Sequence, residues 1–151
     1  MKQFQFRLQK VLQLRERVEK QKQQELAREL QKELKLRRRL SWLSGQLERY
    51  FQKLRQLQTG TFQPAAVQGF YNHVLFLEGQ RRDTVQKVRL QQQQVASKRQ
   101  ELVAASRERQ LLESVRERRS EEHRQEVKRE EAALANEMAT TRFLWRQREG
   151  L

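Results

Sequence analysis

Two histidines and two pairs of adjacent glutamates are the side chains that could support catalysis or metal binding. His73 and His123 lie fifty residues apart, so they are not the i,i+4 pair that binds zinc from one helical face. Glu121-Glu122 and Glu130-Glu131 are neighbours in sequence, and neighbours on a helix point about 100° apart. Their carboxylates therefore do not converge. Because a Gly-rich phosphate loop and a Gly-flanked serine are also missing, the sequence predicts a protein that is not an enzyme and needs no metal or cofactor.

Basic side chains are the other candidate functional groups, because they could bind an anionic partner. They are densest at Arg37–Arg39 and Arg81-Arg82. Residues 1–110 carry 24 Lys and Arg against 10 Asp and Glu, so the net charge of +14 resides there. Such a surface attracts nucleic acid, acidic lipid or an acidic protein groove, unless it is only a solvated helix face. Single-stranded nucleic acid needs aromatic rings among the cations, and Trp42 and Phe76 lie only near the two clusters. The pattern predicts no specific nucleic-acid binding, and weak nonspecific binding at low salt.

The elements that carry these residues are predicted to be almost entirely helical. The chain has five Gly, one Pro, no Cys and 34% charged residues, mostly of types that favour helix. We predict helix one over about 5–57, a turn over about 58–64, helix two over about 65–142 and a short tail over 143–151. Gly60 suits a helix C-terminus in the left-handed conformation, and Pro64 suits the first turn of helix two. The predicted fold class is all-α: a single domain of two long helices in an antiparallel coiled-coil hairpin.

Apolar residues three and four apart define the interface between the two helices, called the seam below. In helix one the seam is regular over Leu40, Leu43, Leu47, Tyr50, Leu54 and Leu57. In helix two it comprises Val67, Phe70, Val74, Leu77, Val88, Val95, Leu102, Ala105 and Leu112, and polar residues interrupt it at Arg81, Thr84, Gln91, Lys98 and Arg109. The eight-residue spacing from Val18 to Leu26, where seven keeps register, predicts a drift of the seam. Helix two is the longer, so residues beyond about 120 are expected to project past the N-terminus, or to pair with its first turns if the turn is longer than predicted.

The segment from Phe70 to Leu77 carries more apolar side chains than one seam can cover. A two-helix coil shields one face, here Phe70, Val74 and Leu77, which leaves Tyr71, Leu75 and Phe76 elsewhere. An exposed apolar patch of this kind is typical of a docking site. The alternative is that the segment packs on Tyr50, Phe51 and Phe62 near the turn.

Neither a membrane span nor a secretory signal is predicted. The longest apolar run, Val74–Leu77, is far shorter than the ~20 residues that a span needs. The opening MKQFQFRLQK lacks an apolar central region. We therefore expect a cytoplasmic protein with no transmembrane segment.

Both ends of the chain resemble a known family. The opening Phe4-x-Phe6-Arg7-Leu8-x-x-Val11-Leu12-x-Leu14-Arg15-Glu16 is similar to the N-terminus of the flagellar export protein FliJ family. The stretch Arg129-Glu130-Glu131-x-x-Leu134-x-Asn136-Glu137-Met138-Ala139-x-x-Arg142 resembles its C-terminal pattern, with Asn136 where that family usually has Asp. The resemblance covers essentially the whole chain.

The resemblance implies a non-enzymatic stalk of the flagellar type III export apparatus, similar to the central stalk of rotary ATP synthases. Such a stalk links the hexameric export ATPase to the membrane export gate, promotes assembly and activity of the ATPase, contacts export chaperones, and associates peripherally with the inner membrane. Carried onto this sequence, the ATPase-binding residues are Phe6, Leu8, Val11, Arg15, Leu134, Met138 and Arg142. The gate-binding residues are Phe70, Tyr71, His73, Val74, Leu77 and Gln80, with His73 where a large apolar residue is common.

Three other functions remain open at the level of sequence. The equivalent stalk of a virulence-type secretion system would share the hairpin. A basic nucleic-acid-binding coiled coil would bind duplex or single strands in a salt-dependent way. A chaperone that holds unfolded chains would need a longer exposed apolar groove than this sequence provides.

Overall fold

The computed structural model describes residues 3–59 and 64–150, and two helices contain nearly all of them. Helix α1 spans Gln9–Thr59 and helix α2 spans Pro64–Glu149, with no strand in these two ranges. The helices pack against each other in antiparallel directions, because residues that come earlier in α1 contact residues that come later in α2. The structure confirms the predicted all-α class and the helical hairpin.

The first helix begins four residues later than the sequence predicts. Residues 3–8 precede α1, and the first turn is closed by hydrogen bonds that the backbone N–H groups of Gln9 and Leu12 donate to the carbonyls of Phe6 (3.1 Å) and Leu8 (2.9 Å). This non-helical start lets the Phe6 ring fold inward, where it is only 9% exposed. Burial of a large ring explains why the helix does not begin at residue 5.

Between the helices, the predicted turn falls partly on residues 60–63, which lie outside the described residues. The expectation for Gly60 therefore stays a prediction. Pro64 is the first residue of α2. A backbone N–H at this position has no acceptor within the helix, so its absence in proline costs nothing.

The predicted tail over 143–151 is wrong for the residues that the structure describes, because α2 continues to Glu149. No Pro or Gly interrupts α2 between Gly79 and Gly150, so nothing local stops the helix earlier. Arg146 and Arg148 lie in its last turn and complement the negative end of the helix dipole. The Gly150 N–H closes that turn on the Arg146 carbonyl at 3.0 Å.

Contacts divide the chain into two compact units, each built from parts of both helices. Unit 1 comprises Met1–Glu19 with Ala105–Leu151, and unit 2 comprises Lys20–Ala104. The core of unit 2 is a cluster of Leu43, Leu47, Val74 and Leu77, all less than 5% exposed, with Tyr50 and Leu54 against it. Unit 1 buries Phe6, Leu12 and Ala105. The single-domain assignment stays a prediction.

The seam of α1 keeps its seven-residue register where the sequence predicted a drift. One heptad position of α1 is buried or half-buried throughout, at Leu12, Glu19, Leu26, Leu40 and Leu47. Glu19, and not Val18, therefore occupies this position between Leu12 and Leu26. The Glu19 side chain is only 13% exposed. The predicted drift is wrong because a half-buried glutamate replaces the expected apolar residue.

Candidate partner-binding surfaces

Alternating charges form part of the seam of unit 2. Lys98 donates hydrogen bonds to Glu25 and Glu101 (both 3.3 Å), and Lys22 donates to Glu101 at 3.2 Å. The bond from Lys98 is the main reason that the pKa of Glu25 lies below its ordinary value, and the bond from Lys22 does the same for the pKa of Glu101. These carboxylates raise the pKa of Lys98 in return. The network is fully charged at neutral pH and favours one alignment of the two helices.

Two further polar residues interrupt the seam of unit 2, and the side chains of both form hydrogen bonds. The Gln91 amide donates to the Glu29 backbone carbonyl at 2.9 Å and to its carboxylate, which lowers the pKa of Glu29. Thr84 is 6% exposed, and its hydroxyl donates to the Gln80 carbonyl at 2.8 Å. No side-chain nitrogen or oxygen buried in the described residues lacks a hydrogen bond.

In unit 1 the Arg109 guanidinium joins the two helices. It donates to Glu19 across the seam and to Glu113 along its own helix at 2.8 Å. These bonds raise the pKa of Arg109, with that to Glu19 the largest cause. Ser106 donates a second hydrogen bond to Glu19 at 3.2 Å, which satisfies a carboxylate that would otherwise be costly to bury.

The N-terminal residues pack onto α2 within unit 1. The Arg119 guanidinium carbon lies 5.9 Å from the Phe6 ring centroid, and the Phe4 ring lies 5.7 Å from that of His123. Leu12 is fully buried, while Leu8 is half-buried and Val11 is 39% exposed. Arg15 forms an ion pair with Glu108 and stays 41% exposed. Of the predicted ATPase-binding residues at this end, Val11 and Arg15 are the most accessible.

The last part of α2 is exposed on all sides. Residues 128–150, called the extension below, contain no buried or half-buried residue. Five large apolar side chains are more than half exposed there: Leu134, Met138, Phe143, Leu144 and Trp145. Leu134, Met138 and Trp145 share one face because they are spaced four and seven apart. A helix with this much exposed apolar surface is typical of a site that another protein covers.

The structure does not bring the two halves of the predicted ATPase-binding set together. Phe4, the outermost described aromatic residue of the N-terminal segment, meets α2 at His123. Leu134 is eleven residues further along, about 16 Å at 1.5 Å per residue, and Met138 and Arg142 are further still. The N-terminal residues and the extension therefore form two separate surfaces in unit 1. Within this unit α2 projects beyond the N-terminal residues from residue 128 and not from about 120, because His123 contacts Phe4 and Val127 is half-buried.

The aromatic segment in unit 2 divides into a buried face and an exposed face, as the sequence predicts. Val74 and Leu77 are 3% and 4% exposed, whereas Tyr71, Leu75 and Phe76 are about half exposed. On a third side the rings form a chain. Tyr50 of α1 lies between Phe70 at 5.9 Å and His73 at 4.6 Å, and His73 stacks on Phe76 at 6.2 Å.

This arrangement separates the predicted gate-binding residues by accessibility. Tyr71 and His73 are exposed, and Phe70 and Gln80 are half-buried. Val74 and Leu77 lie inside the core, where they pack with Leu43 and Leu47. While the hairpin is closed, these two residues contribute to a surface only by holding the neighbouring side chains in place. Of the alternative packing partners, Tyr50 is in contact, Phe51 is 43% exposed, and Phe62 lies outside the described residues.

Sequence reasoning missed the α1 half of the charged seam. Glu19, Lys22 and Glu29 face α2, although none of them belongs to the predicted seam. The signal was available in the heptad, since counting back in sevens from Leu40 gives Leu26 and Glu19. A glutamate is tolerated at this seam position because Arg109 and Ser106 on the partner helix donate hydrogen bonds to it.

These features define a class of protein: a two-helix coiled coil with charged layers in its seam and an exposed apolar helix end. A family model described as "Flagellar FliJ protein" matches residues 4–148. The chain therefore belongs to the FliJ family and is a protein of flagellar type III export. No curated protein and no solved structure matches the chain.

Two observations complete the description of the surfaces. Among residues 3–59 and 64–150, no helix is both long and apolar enough to cross a membrane. In the same ranges, no three His, Cys, Asp or Glu side chains come together as metal ligands would.

Proposed function

We propose that the protein is a non-enzymatic stalk that links the hexameric flagellar export ATPase to the membrane export gate and promotes assembly and activity of the ATPase. The observation that carries this proposal is the extension. Its five large apolar side chains are more than half exposed, which is costly in water unless a partner covers them.

The ATPase is the partner proposed for the extension and for the accessible N-terminal residues. Leu134, Met138 and Trp145 form one apolar face, as in helices that bind in a groove of another protein. Methionine, aromatic residues and arginine are enriched in such interfaces, and Arg142 lies between Met138 and Trp145. Val11 and Arg15 would form a second, separate contact with the ATPase from α1. Phe6 and Leu8 would contribute to ATPase binding indirectly, because the burial of Phe6 holds the N-terminal segment on α2.

The export gate is the partner proposed for the aromatic segment. Tyr71 and His73 offer exposed rings, Phe70 and Gln80 border them, and Val74 with Leu77 fix their position from the core. Binding there would place the protein at the inner membrane as a peripheral component of the export apparatus. Export chaperones are further proposed partners, for which no residue is assigned.

Two sets of variants test whether the surfaces act separately. Leu134→Gln with Met138→Gln keeps good helix formers in α2 while it removes the apolar face, so it should weaken ATPase binding and leave gate binding intact. Tyr71→Ala with His73→Ala should weaken gate binding alone. Purified export ATPase and the cytoplasmic domain of the gate protein, each immobilised and titrated with the full chain, provide the two measurements.

Matched controls come from the same helical turns. Thr140→Gln changes another face of the extension, and Asn72→Ala lies between the two gate residues; both positions are exposed. Neither control should change either affinity by more than about twofold. If the Leu134–Met138 variant binds the ATPase as tightly as the wild type, the proposed ATPase surface is wrong. If the Tyr71–His73 variant retains full affinity for the gate, the proposed gate surface is wrong.

A further inference from the structure

Helix α1 carries a one-sided row of cations in unit 2 that the proposed function does not use. Eight residues alternate four and three apart along one face: Arg28, Lys32, Lys35, Arg39, Trp42, Gln46, Arg49 and Lys53. Six of the eight are basic and none is acidic. At 1.5 Å per residue the row, called the basic stripe below, runs for about 38 Å. Residues with this spacing lie side by side along a helix, so the charges form a nearly straight line.

The basic stripe is directed to solvent. Its residues are exposed except for Gln46, which is half-buried. The next row of α1 on its outer side contains Gln31, Arg38, Gly45 and Gln52, which adds one more cation and no acid. The carboxylates of Glu29 and Glu33 are 18% and 14% exposed, and they are already paired with Lys32 and Arg37. Glu29 and Glu33 therefore lie towards the seam, apart from the cations of this face, whereas Glu48 is exposed but does not belong to the stripe.

Most cations of the stripe are not neutralised by the protein itself. Within residues 3–59 and 64–150, Arg28, Lys35 and Arg49 have no carboxylate partner. Arg39 instead lies over the Trp42 ring, 4.8 Å from its centroid, and Lys53 lies over the Tyr50 ring at 5.3 Å. An unpaired row of like charges destabilises an isolated helix slightly, so its presence points to an anionic partner that compensates it.

We propose that the basic stripe binds the surface of a membrane that contains anionic phospholipids, with α1 of unit 2 lying along the headgroups. A straight row of cations meets a flat anionic surface along its whole length. A nucleic-acid duplex, by contrast, winds its phosphates away from a straight line. A single strand requires several stacking rings, and the stripe offers only Trp42. Trp42, at the middle of the stripe and 51% exposed, suits the headgroup region, where tryptophan is enriched.

The stripe binds by electrostatic attraction with little insertion, because its face carries one aromatic side chain and no aliphatic ones. Binding should therefore rise with the fraction of anionic lipid and fall steeply with salt. This inference does not depend on the proposed stalk function, since no residue of the stripe belongs to the ATPase-binding or gate-binding sets.

Co-sedimentation of the full chain with vesicles tests the proposal. Vesicles with 30% phosphatidylglycerol in phosphatidylcholine should bind the protein at low salt, and pure phosphatidylcholine vesicles should not. In a Trp145→Phe background, Trp42 is the remaining tryptophan, and its emission should shift to shorter wavelength on binding. Arg28→Glu with Lys35→Glu and Arg49→Glu should weaken binding by at least about a hundredfold, since the loss of each basic residue near an anionic surface costs about a factor of five and each new carboxylate adds repulsion.

The matched control reverses three exposed arginines of α2, Arg107→Glu with Arg118→Glu and Arg129→Glu, and changes the net charge by the same amount. Helix content measured by circular dichroism shows whether each variant remains folded. The proposal requires the stripe variant to lose at least tenfold more affinity than the control. Equal losses, absence of binding to anionic vesicles by the wild type, or tighter stripe-dependent binding to a DNA duplex or to poly(dT) would each overturn it.

Discussion

Replacement of Leu43 by alanine tests the packing on which the hairpin rests. Leu43 is fully buried and belongs to the cluster with Leu47, Val74 and Leu77, so its removal leaves a cavity between the two helices. Alanine favours helix more than any other residue, so the loss reports packing and not helix propensity. Buried leucine-to-alanine changes cost about 2–5 kcal/mol, and we expect about 3 kcal/mol here. For a chain of this size the melting temperature should fall by about 6–12 °C.

The assay is thermal unfolding followed by the helical signal in circular dichroism. Leu34→Ala is the matched control, because Leu34 lies in the same helix and unit but is 49% exposed. The control should change stability by no more than about 0.5 kcal/mol. Each melt is repeated at a tenfold higher protein concentration, which detects any contribution from self-association. Equal melting temperatures for the two variants would refute the assignment of Leu43 to the core.

The remaining predictions concern the charged layers of the seam. The pKa values of Glu25, Glu29 and Glu101 are lowered in the folded state, so their contribution to stability is present above their ordinary pKa of 4.5 and is lost as pH falls through the lowered values. At low salt, the melting temperature of the wild type should therefore drop more steeply below pH 4.5 than that of Lys98→Met. Parallel pH profiles of the two proteins would contradict the network. Arg109→Met should destabilise unit 1, because it leaves the Glu19 carboxylate with only Ser106 as a cross-helix partner, and Glu19→Gln in the same chain should recover part of the loss. Gln91→Ala should cost about 1 kcal/mol in urea unfolding, since it removes the bonds to Glu29.

The parts of the fold that follow local rules could be predicted from the sequence. The heptad from Leu40 to Leu57 and its counterpart from Phe70 to Leu112 specify two helices with one apolar face each, and the hairpin buries these faces against each other. Pro64 marks the start of α2 correctly because its fixed backbone angle suits a first helical turn.

The parts that depend on a partner helix could not be predicted. The heptad points to position 19, but whether a glutamate can be buried there depends on Arg109 and Ser106, ninety and eighty-seven residues away. The start of α1 depends on the burial of Phe6 against α2. The predicted end of α2 falls too early for another reason: nothing in the apolar Phe143–Trp145 run breaks a helix, and α2 continues to Glu149.

The candidate surfaces were only partly accessible to sequence reasoning. The periodicity separates Tyr71 from Val74 correctly, because Phe70, Val74 and Leu77 follow the spacing of the seam and Tyr71, one residue after Phe70, lies off that face. The resemblance to a family places Val74 and Leu77 in a binding patch, whereas their burial limits them to a supporting role.

The most direct test of the proposed stalk function is ATP hydrolysis by the cognate flagellar export ATPase, measured with increasing amounts of this protein and alongside the size of the ATPase in solution. The proposal predicts faster hydrolysis and a larger share of hexamer with the wild type, no effect with Leu134→Gln plus Met138→Gln, and a wild-type effect with Thr140→Gln. An ATPase whose rate and assembly are unchanged by the wild-type protein would contradict it.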